Sequence, residues 1–442
     1  MTETLTFDSL VDAFHEHLDQ LPDHRQGRNI TYELKDAALG AFAVFFNQSP
    51  SFLAHQRRMQ ETKGRSNAQT LFRIQQTPTD PQIRNLLDPL APTELYPLFR
   101  LILSRLAQAG QLDQFRDFND TLLVPLDGTQ YFSSQKIHCS QCRQRTLTNG
   151  EILYSHSVIT PVVVKPGQPH VLPLEPEFIT LQDGATKQDC ELTAAKRWLD
   201  RCGTVYAAYH LTLLGDDLYC HQPFCQLVLD HHLNFIFVCK PDSHAHLYEW
   251  LAFLQAGPSE QLPSLTRRYW NGRFAEIWTY RYMNEVPLRA GPAPLFVNWA
   301  ELIIIREDTG EQLYHNSFTT NYELTDVTVE PLVQAGRTRW KIENEGNNVL
   351  KNRGYHLEHN FGHGQQHLST VLLTLNLLAF LFHTILHLVD QRYRRLREHL
   401  AVRQTFFNDI QTLTRYLCFD SWDHLLDFMF KQLELDISPA PT

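Results

Sequence analysis

The sequence predicts an α/β protein, with a mixed-sheet core, a β-rich insertion, a helical N-terminal domain and a helical C-terminal tail. Three observations carry this. Apolar residues recur at helical spacing up to about residue 120, the pattern then shortens to that of strands, and helical runs return from residue 366. The 442 residues, 43% of them hydrophobic, suffice for a large core.

In residues 1–120, Phe14, Leu18 and Leu21 are roughly helically spaced, and Leu34 to Phe46 is rich in Ala, Leu and Phe. Thr79 or Asp80 caps a helix with Pro81 in its first turn, and Leu98 to Leu106 follows Pro97 as another helical run. Residues 121–258 alternate. Leu122–Leu126, Leu153–Val164 and His170–Ile179 read as strands, and Asp189–His210 as a helix. Leu211–Leu214 is a short buried strand, Pro223–His232 a helix, Asn234–Cys239 a strand and Ser243–Leu254 a helix. That order, three strands and then helix, strand, helix, strand, helix, is the order of the first part of an RNase H-like core. Residues 259–327 break the rhythm with strand-like runs at Phe274–Tyr282, Leu295–Ile305 and Gln312–Tyr322, and a hairpin turn at Asp308-Thr-Gly. Residues 328–365 hold a helix that starts near Thr328, carries Pro331 in its first turn and ends at Gly354, followed by a loop. Gly336 and Gly346 inside this helix each cost roughly 1 kcal/mol relative to Ala, so packing must hold it. Residues 366–442 form the C-terminal helical region.

The net charge of −10 argues against a generally basic coat for nucleic acid. Local basic stripes remain: Arg57, Arg58, Lys63 and Arg65; Arg337 to Arg353; and Arg392, Arg394, Arg395 and Arg397. The eight cysteines are unevenly spaced and the start MTETLTFDSL is polar, so the thiols read as reduced and the protein as cytoplasmic. Leu368–Val389 is apolar enough to mimic a membrane span, but Asn376, His383 and His387 interrupt it, and a buried core helix is the better reading.

The chemistry concentrates in three acids. Asp127 and Asp216 each follow an apolar run, at the strand ends where α/β sheets place their sites. Asp217 stands beside Asp216, and one step along a strand reverses a side chain, so only one of the two faces a site; Asp216 is preferred. Glu343 lies on a helix with Arg339, Asn347 and Lys351 spaced by four around it. Hard Mg²⁺ or Mn²⁺ takes oxygen ligands, so Asp127, Asp216 and Glu343 are the candidate catalytic and metal-binding residues, with Arg339, Lys351, Arg337, Lys341 and Arg353 the candidate DNA contacts. The bland alternatives are turn-capping aspartates and a plain Arg339–Glu343 ion pair. Cys139 and Cys142 form half a zinc knuckle, a candidate structural Zn²⁺ site to which His156, or Cys220, His221 and Cys225, could add ligands. His356, His359, His363 and His367 read mainly as polar loop residues, and Trp270, Trp278 and Trp299 as core residues of the insertion.

The Leu-Asp127-Gly-Thr strand, the Gly-Asp216-Asp-Leu-Tyr strand end and the Arg339-Trp-Lys-Ile-Glu343 run resemble those of bacterial insertion-sequence DDE transposases, in the insertion-sequence-four-like superfamily. The resemblance spans roughly residues 120–360, with a further likeness in Tyr32–Leu53. The branch carries a signature of Tyr, two residues, Arg, three residues, Glu, six residues, Lys. Arg339 and Glu343 match it, Gly336 stands at the tyrosine position, and Lys351 falls one place past the lysine position. The resemblance implies a DDE triad of Asp127, Asp216 and Glu343, and an enzyme performing phosphodiester hydrolysis and transesterification. It further implies that the N-terminal helices help bind double-stranded DNA at transposon terminal inverted repeats, that a homodimer assembles on DNA, and that no membrane is involved. The protein would be nucleoid-associated when bound. The competing readings are a transposon-derived DNA-binding protein without catalysis and an RNase H-like nuclease.

Overall fold

The computed structural model describes residues 5–21, 23, 25, 31–58, 66–184, 187–256 and 262–435. Lys63 and Arg65 of the first basic stripe lie outside them, as do the side chains of Arg57 and Arg58. The N-terminal region is helical as expected: α1 (Phe7–Asp19), α2 (Leu34–Phe46), α3 (Phe52–Arg58), α4 (Asn67–Phe72), α5 (Asp80–Leu87) and α6 (Tyr96–Gln108). Thr79 is the N-cap of α5, with Pro81 in the first turn. In α2 every residue from Asp36 to Phe46 is buried, which accounts for its lack of a polar face.

Nine strands and three helices make up the middle of the chain. Seven strands precede α7 (Lys187–Ala207): β1 (Leu122–Pro125), β2 (Gly128–Ser134), β3 (Arg143–Thr146), β4 (Ile152–Ile159), β5 (Val162–Val163), β6 (Leu172–Pro173) and β7 (Glu177–Ile179). Then come β8 (Leu211–Gly215), α8 (Gln222–Asp230), β9 (Asn234–Val238) and α9 (Ala245–Gln255). The insertion contributes β10 (Ser264–Trp270), β11 (Ala275–Pro287), β12 (Phe296–Arg306) and β13 (Gln312–Thr320). The main sheet runs β1-β8-β9-β13-β12-β11-β10. Its β1, β8 and β9 are parallel, and β13 joins antiparallel with Phe318 opposite Val238. The insertion thus extends the core sheet. A second sheet has β2, β4 and β3 in order, with β7 also on β4. Only Leu126 and Asp127 separate β1 from β2, so Asp127 stands where the chain passes from one sheet to the other.

After the insertion the chain is helical from Val329 to Asn352, but its winding changes: α10 (Val329–Arg337), a 3₁₀ turn (Thr338–Trp340), a π-helical stretch (Ile342–Asn347) and α11 (Asn348–Asn352). Thr328 is the N-cap, and Gly354 has φ +94° just past the end, both as expected. Gly336 faces the sheet. A Cβ there would come within 2.9 Å of Ile236 and Phe318, so this helix lies closer to β9 and β13 than any side chain at 336 would allow. The packing that holds the glycine-bearing helix is this contact.

The C-terminal region holds α12 (Leu368–Val389), α13 (Gln391–His399), α14 (Arg403–Tyr416) and α15 (Trp422–Gln432). Among the described residues α12 is the one helix long and apolar enough to cross a membrane, and it is sheathed by protein. Two of its polar residues, His383 and Asn376, find partners inside. His383 Nε2 lies 2.8 Å from the Phe46 carbonyl and Nδ1 2.9 Å from the Tyr393 hydroxyl, and the Asn376 amide donates to the Tyr355 carbonyl. α12 packs on α2, and one hydrophobic core runs from Leu5 to Phe430. The basic stripe at 392–397 is partly consumed here: Arg392 pairs with Asp423 and Asp427, and Arg397 lies over the Phe406 ring. Trp299 is buried as expected, but Trp270 is 66% exposed, because β10 is an edge strand with most side chains in solvent.

Candidate functional site

The β1–β8 register runs to Pro125 opposite Leu214, and the Leu126 amide donates to the Leu214 carbonyl at 2.9 Å. Two residues beyond Pro125 and Leu214, the strands deliver Asp127 and Asp216 at the same carboxyl edge. Glu343 arrives from the π-helical stretch and is exposed. Asp216 and Glu343 both bear on Asp127. The Asp127 carboxyl is pushed up to about 6, first by burial and then by the charge of Glu191; Arg339 opposes the rise, while Asp216 and Glu343 add to it. The carboxylates are not drawn into a tight cluster. Among the described residues, Asp127, Asp216 and Glu343 do not place one oxygen each within 4.8 Å of one another. Mutual repulsion favours that spacing, and Asp216 Oδ1 is engaged by the Leu218 amide at 3.0 Å.

Asp217 has a different occupation. Its Oδ1 accepts the Lys240 amide at 2.6 Å and lies 3.4 Å from His244 Nε2, so it fastens the β9–α9 loop. These bonds hold its carboxyl below the usual range against the upward push of burial. The sequence left out Glu191, on α7. It is buried, and it accepts the Gly128 amide at 3.1 Å and the Tyr219 hydroxyl at 2.9 Å. A lone glutamate in a long helix carries no sequence signal; only the fold brings it beside Asp127.

The basic residues divide. Arg339 is half-buried and makes no ion pair with Glu343 among the described residues, so the plain four-apart pair does not form. Arg337 lies over the rings of Trp278 and Tyr314. Lys341 is buried and donates to the Gln168 carbonyl at 2.9 Å, which removes it from the set of solvent-facing contacts. Lys351 pairs with Glu358 at 3.0 Å, and Arg353 is exposed. Asn347 is buried and accepts the Thr160 hydroxyl at 2.8 Å. A groove of about 700 Å³ opens beside this helix, lined by Gly167, Trp278, Tyr314, Gln334, Arg339 and Trp340.

Among the described residues, two Cys/His clusters could hold a metal ion: Cys139, Cys142, His156 and His363, and Cys220, Cys239 and His244. The first adds His156 and His363 to the half-knuckle. His363 is 8% exposed, so it is no solvated loop residue. In the second, His244 also touches Asp217. His221 and Cys225 belong to neither cluster. No protein-family model matches the chain, and no curated protein matches it.

Proposed function

We propose that the protein is a DDE-type DNA transposase that binds transposon ends and performs metal-dependent cleavage and strand transfer. The observation that carries this is the edge where the pairing of the parallel strands β1 and β8 ends, two residues before an aspartate on each, Asp127 and Asp216, with Glu343 and Arg339 coming from a helix more than a hundred residues later to bear on Asp127. The strand arrangement supports an RNase H-like core, because β1 lies parallel to β8 and β9 while its continuation β2 pairs antiparallel with β4.

The π-helical stretch supports the signature. A π bulge accommodates one residue more than the same length of α-helix. Between Glu343 and Lys351 it absorbs the extra residue, returning Lys351 toward the side it would occupy seven places after Glu343 in a regular helix. Gly336, at the tyrosine position, is explained by its contact with Ile236 and Phe318.

The acids offer oxygen donors of the kind Mg²⁺ and Mn²⁺ prefer, and Asp127, Asp216 and Glu343 are the residues that would hold the ions. When bound, such ions activate an attacking oxygen and stabilise a leaving one. Arg339 contributes a fork of donors suited to a phosphodiester, and the exposed Glu343 has freedom to move inward. Trp340, 48% exposed at the groove, offers a face for sugar or base. The protein would act on duplex DNA as a homodimer in the cytoplasm, without a membrane.

The test is cleavage of DNA carrying the gene's own flanking ends, with Mg²⁺ or Mn²⁺. Asp127→Ala, Asp216→Ala and Glu343→Ala should each abolish cleavage and leave end binding in place. Binding without nicking by the unaltered protein would favour a transposon-derived DNA-binding protein. Nicking with no preference for the ends would favour a nuclease.

A further inference from the structure

We propose that Cys139, Cys142, His156 and His363 bind one structural zinc ion that ties the β2–β4 sheet to the loop after the Glu343 helix. This inference does not rest on the transposase reading. The four ligand atoms lie within 4.8 Å of one another. The two Sγ atoms are 3.9 Å apart; His156 Nε2 is 3.6 Å from Cys139 Sγ and 3.3 Å from Cys142 Sγ; His363 Nε2 is 3.3 Å from Cys142 Sγ. A tetrahedral ion with ordinary Zn–S and Zn–N lengths separates two sulfurs by about 3.8 Å and sulfur from nitrogen by about 3.6 Å. The observed spacings match that frame.

The alternatives fit less well. A disulfide needs sulfurs about 2.0 Å apart. Sulfur is a weak hydrogen-bond partner in either role, so a half-buried thiol, a buried thiol and two buried imidazoles satisfy one another poorly without a cation. Cys142, His156 and His363 are 1%, 6% and 8% exposed. The surroundings suit a metal knuckle. The Cys139 amide donates to Cys142 Sγ at 3.4 Å, and the Cys142 amide to the Cys139 carbonyl at 3.2 Å. The Phe132 ring lies 4.3 Å from that of His363, and Tyr131 stacks on His156 at 5.9 Å, which fixes both imidazoles. His363 Nδ1 has no hydrogen-bond partner among the described residues.

The ligands come from three places: the β2–β3 turn, β4, and the loop at 353–367. His363 lies 221 positions beyond Cys142. Because β2 begins one residue after Asp127 and the loop follows Glu343, the ion would pin together the two stretches that carry these acids.

The experiment uses the full chain, expressed with added zinc and purified under reductant without chelator. Elemental analysis should find about one zinc per chain, and cobalt exchanged for zinc should show the visible bands of a tetrahedral site with thiolate ligands. Cys142→Ser and His363→Ala should lose the zinc, His356→Ala should keep it, and His363→Cys should keep metal with an altered cobalt spectrum. If the site variants fail to fold, the stoichiometry and cobalt spectrum of the unaltered protein still decide. A folded protein that neither carries zinc nor takes up cobalt would overturn the proposal. So would full zinc retention by His363→Ala, since the cross-link depends on that residue.

Discussion

Glu191 takes the Gly128 amide at 3.1 Å, and that bond seats a second carboxylate against Asp127. Replacing Glu191 with Gln removes the charge and keeps the shape. The Asp127 pKa should then fall toward the ordinary carboxyl range, and the acid limb of metal-dependent cleavage should move to lower pH with it. Cleavage–pH profiles of the two proteins check this; superimposable acid limbs would show that Glu191 does not act on Asp127.

Asp127 itself should be a burden on the fold. Its carboxyl titrates at about 6 in place of the ordinary 3.8, so the folded state binds the proton more tightly than the unfolded chain. Below about pH 4 both states are protonated and nothing is lost. Stability then falls as pH climbs to about 6 and stays lowered above, by up to about 3 kcal/mol. Asp127→Asn should therefore melt higher than the unaltered protein at pH 8, with the gain fading toward pH 4. Calorimetry at both pH values measures it, and a lower melting temperature at pH 8 would contradict the assignment.

Asp216 and Asp217, adjacent in the chain, should fail differently. Asp217 fastens Lys240 and His244, so Asp217→Ala should cost about 1–3 kcal/mol. Asp216 bonds only within its own turn among the described residues, so Asp216→Ala should leave stability nearly unchanged and remove cleavage. Urea denaturation beside a cleavage assay separates the two; the opposite pairing of effects would exchange their roles.

Asp88 carries the reverse pH dependence. Its carboxylate accepts the amides of Gln365, Gln366, His367 and Leu368 at 3.0–3.2 Å, at the start of α12. Burial pushes its pKa up, but those four amides prevail and hold it below 3.8. The stabilisation is present above about pH 4 and lost as pH falls through the lowered value. Asp88→Asn should lower stability at pH 7 by about 1–3 kcal/mol, with the difference shrinking toward pH 3. Paired thermal melts read this directly. Gly364 belongs to the same device: its φ is +70°, and a Cβ would meet Asp88 Oδ1 at 2.2 Å.

The parallel strands β8 and β9 were legible because each is an apolar run with no polar face. β3 and β10 were not: Arg143-Gln-Arg-Thr has no hydrophobic pattern, and β10 lies largely in solvent. β2 was missed because it follows β1 after only two residues and reads as a turn around Gly128. Asp127, Asp216 and Glu343 could be named from strand ends and the helical basic run, but how they face one another depends on the π-helical winding, which four-residue spacing does not anticipate. Glu191 and His363 were hidden for a common reason. Each meets its partners only through contacts far apart in the chain.

The shared interior of the two terminal regions bears on how the chain reaches its fold. The Phe7 ring lies tilted against Trp422 at 4.7 Å, and Phe46 stacks on His383 at 4.1 Å. During synthesis α1 and α2 therefore leave the ribosome long before their covering helices exist, and the almost wholly apolar α2 must wait in water. Such a nascent chain invites chaperone protection, and a fragment ending before α12 would expose that surface permanently and aggregate.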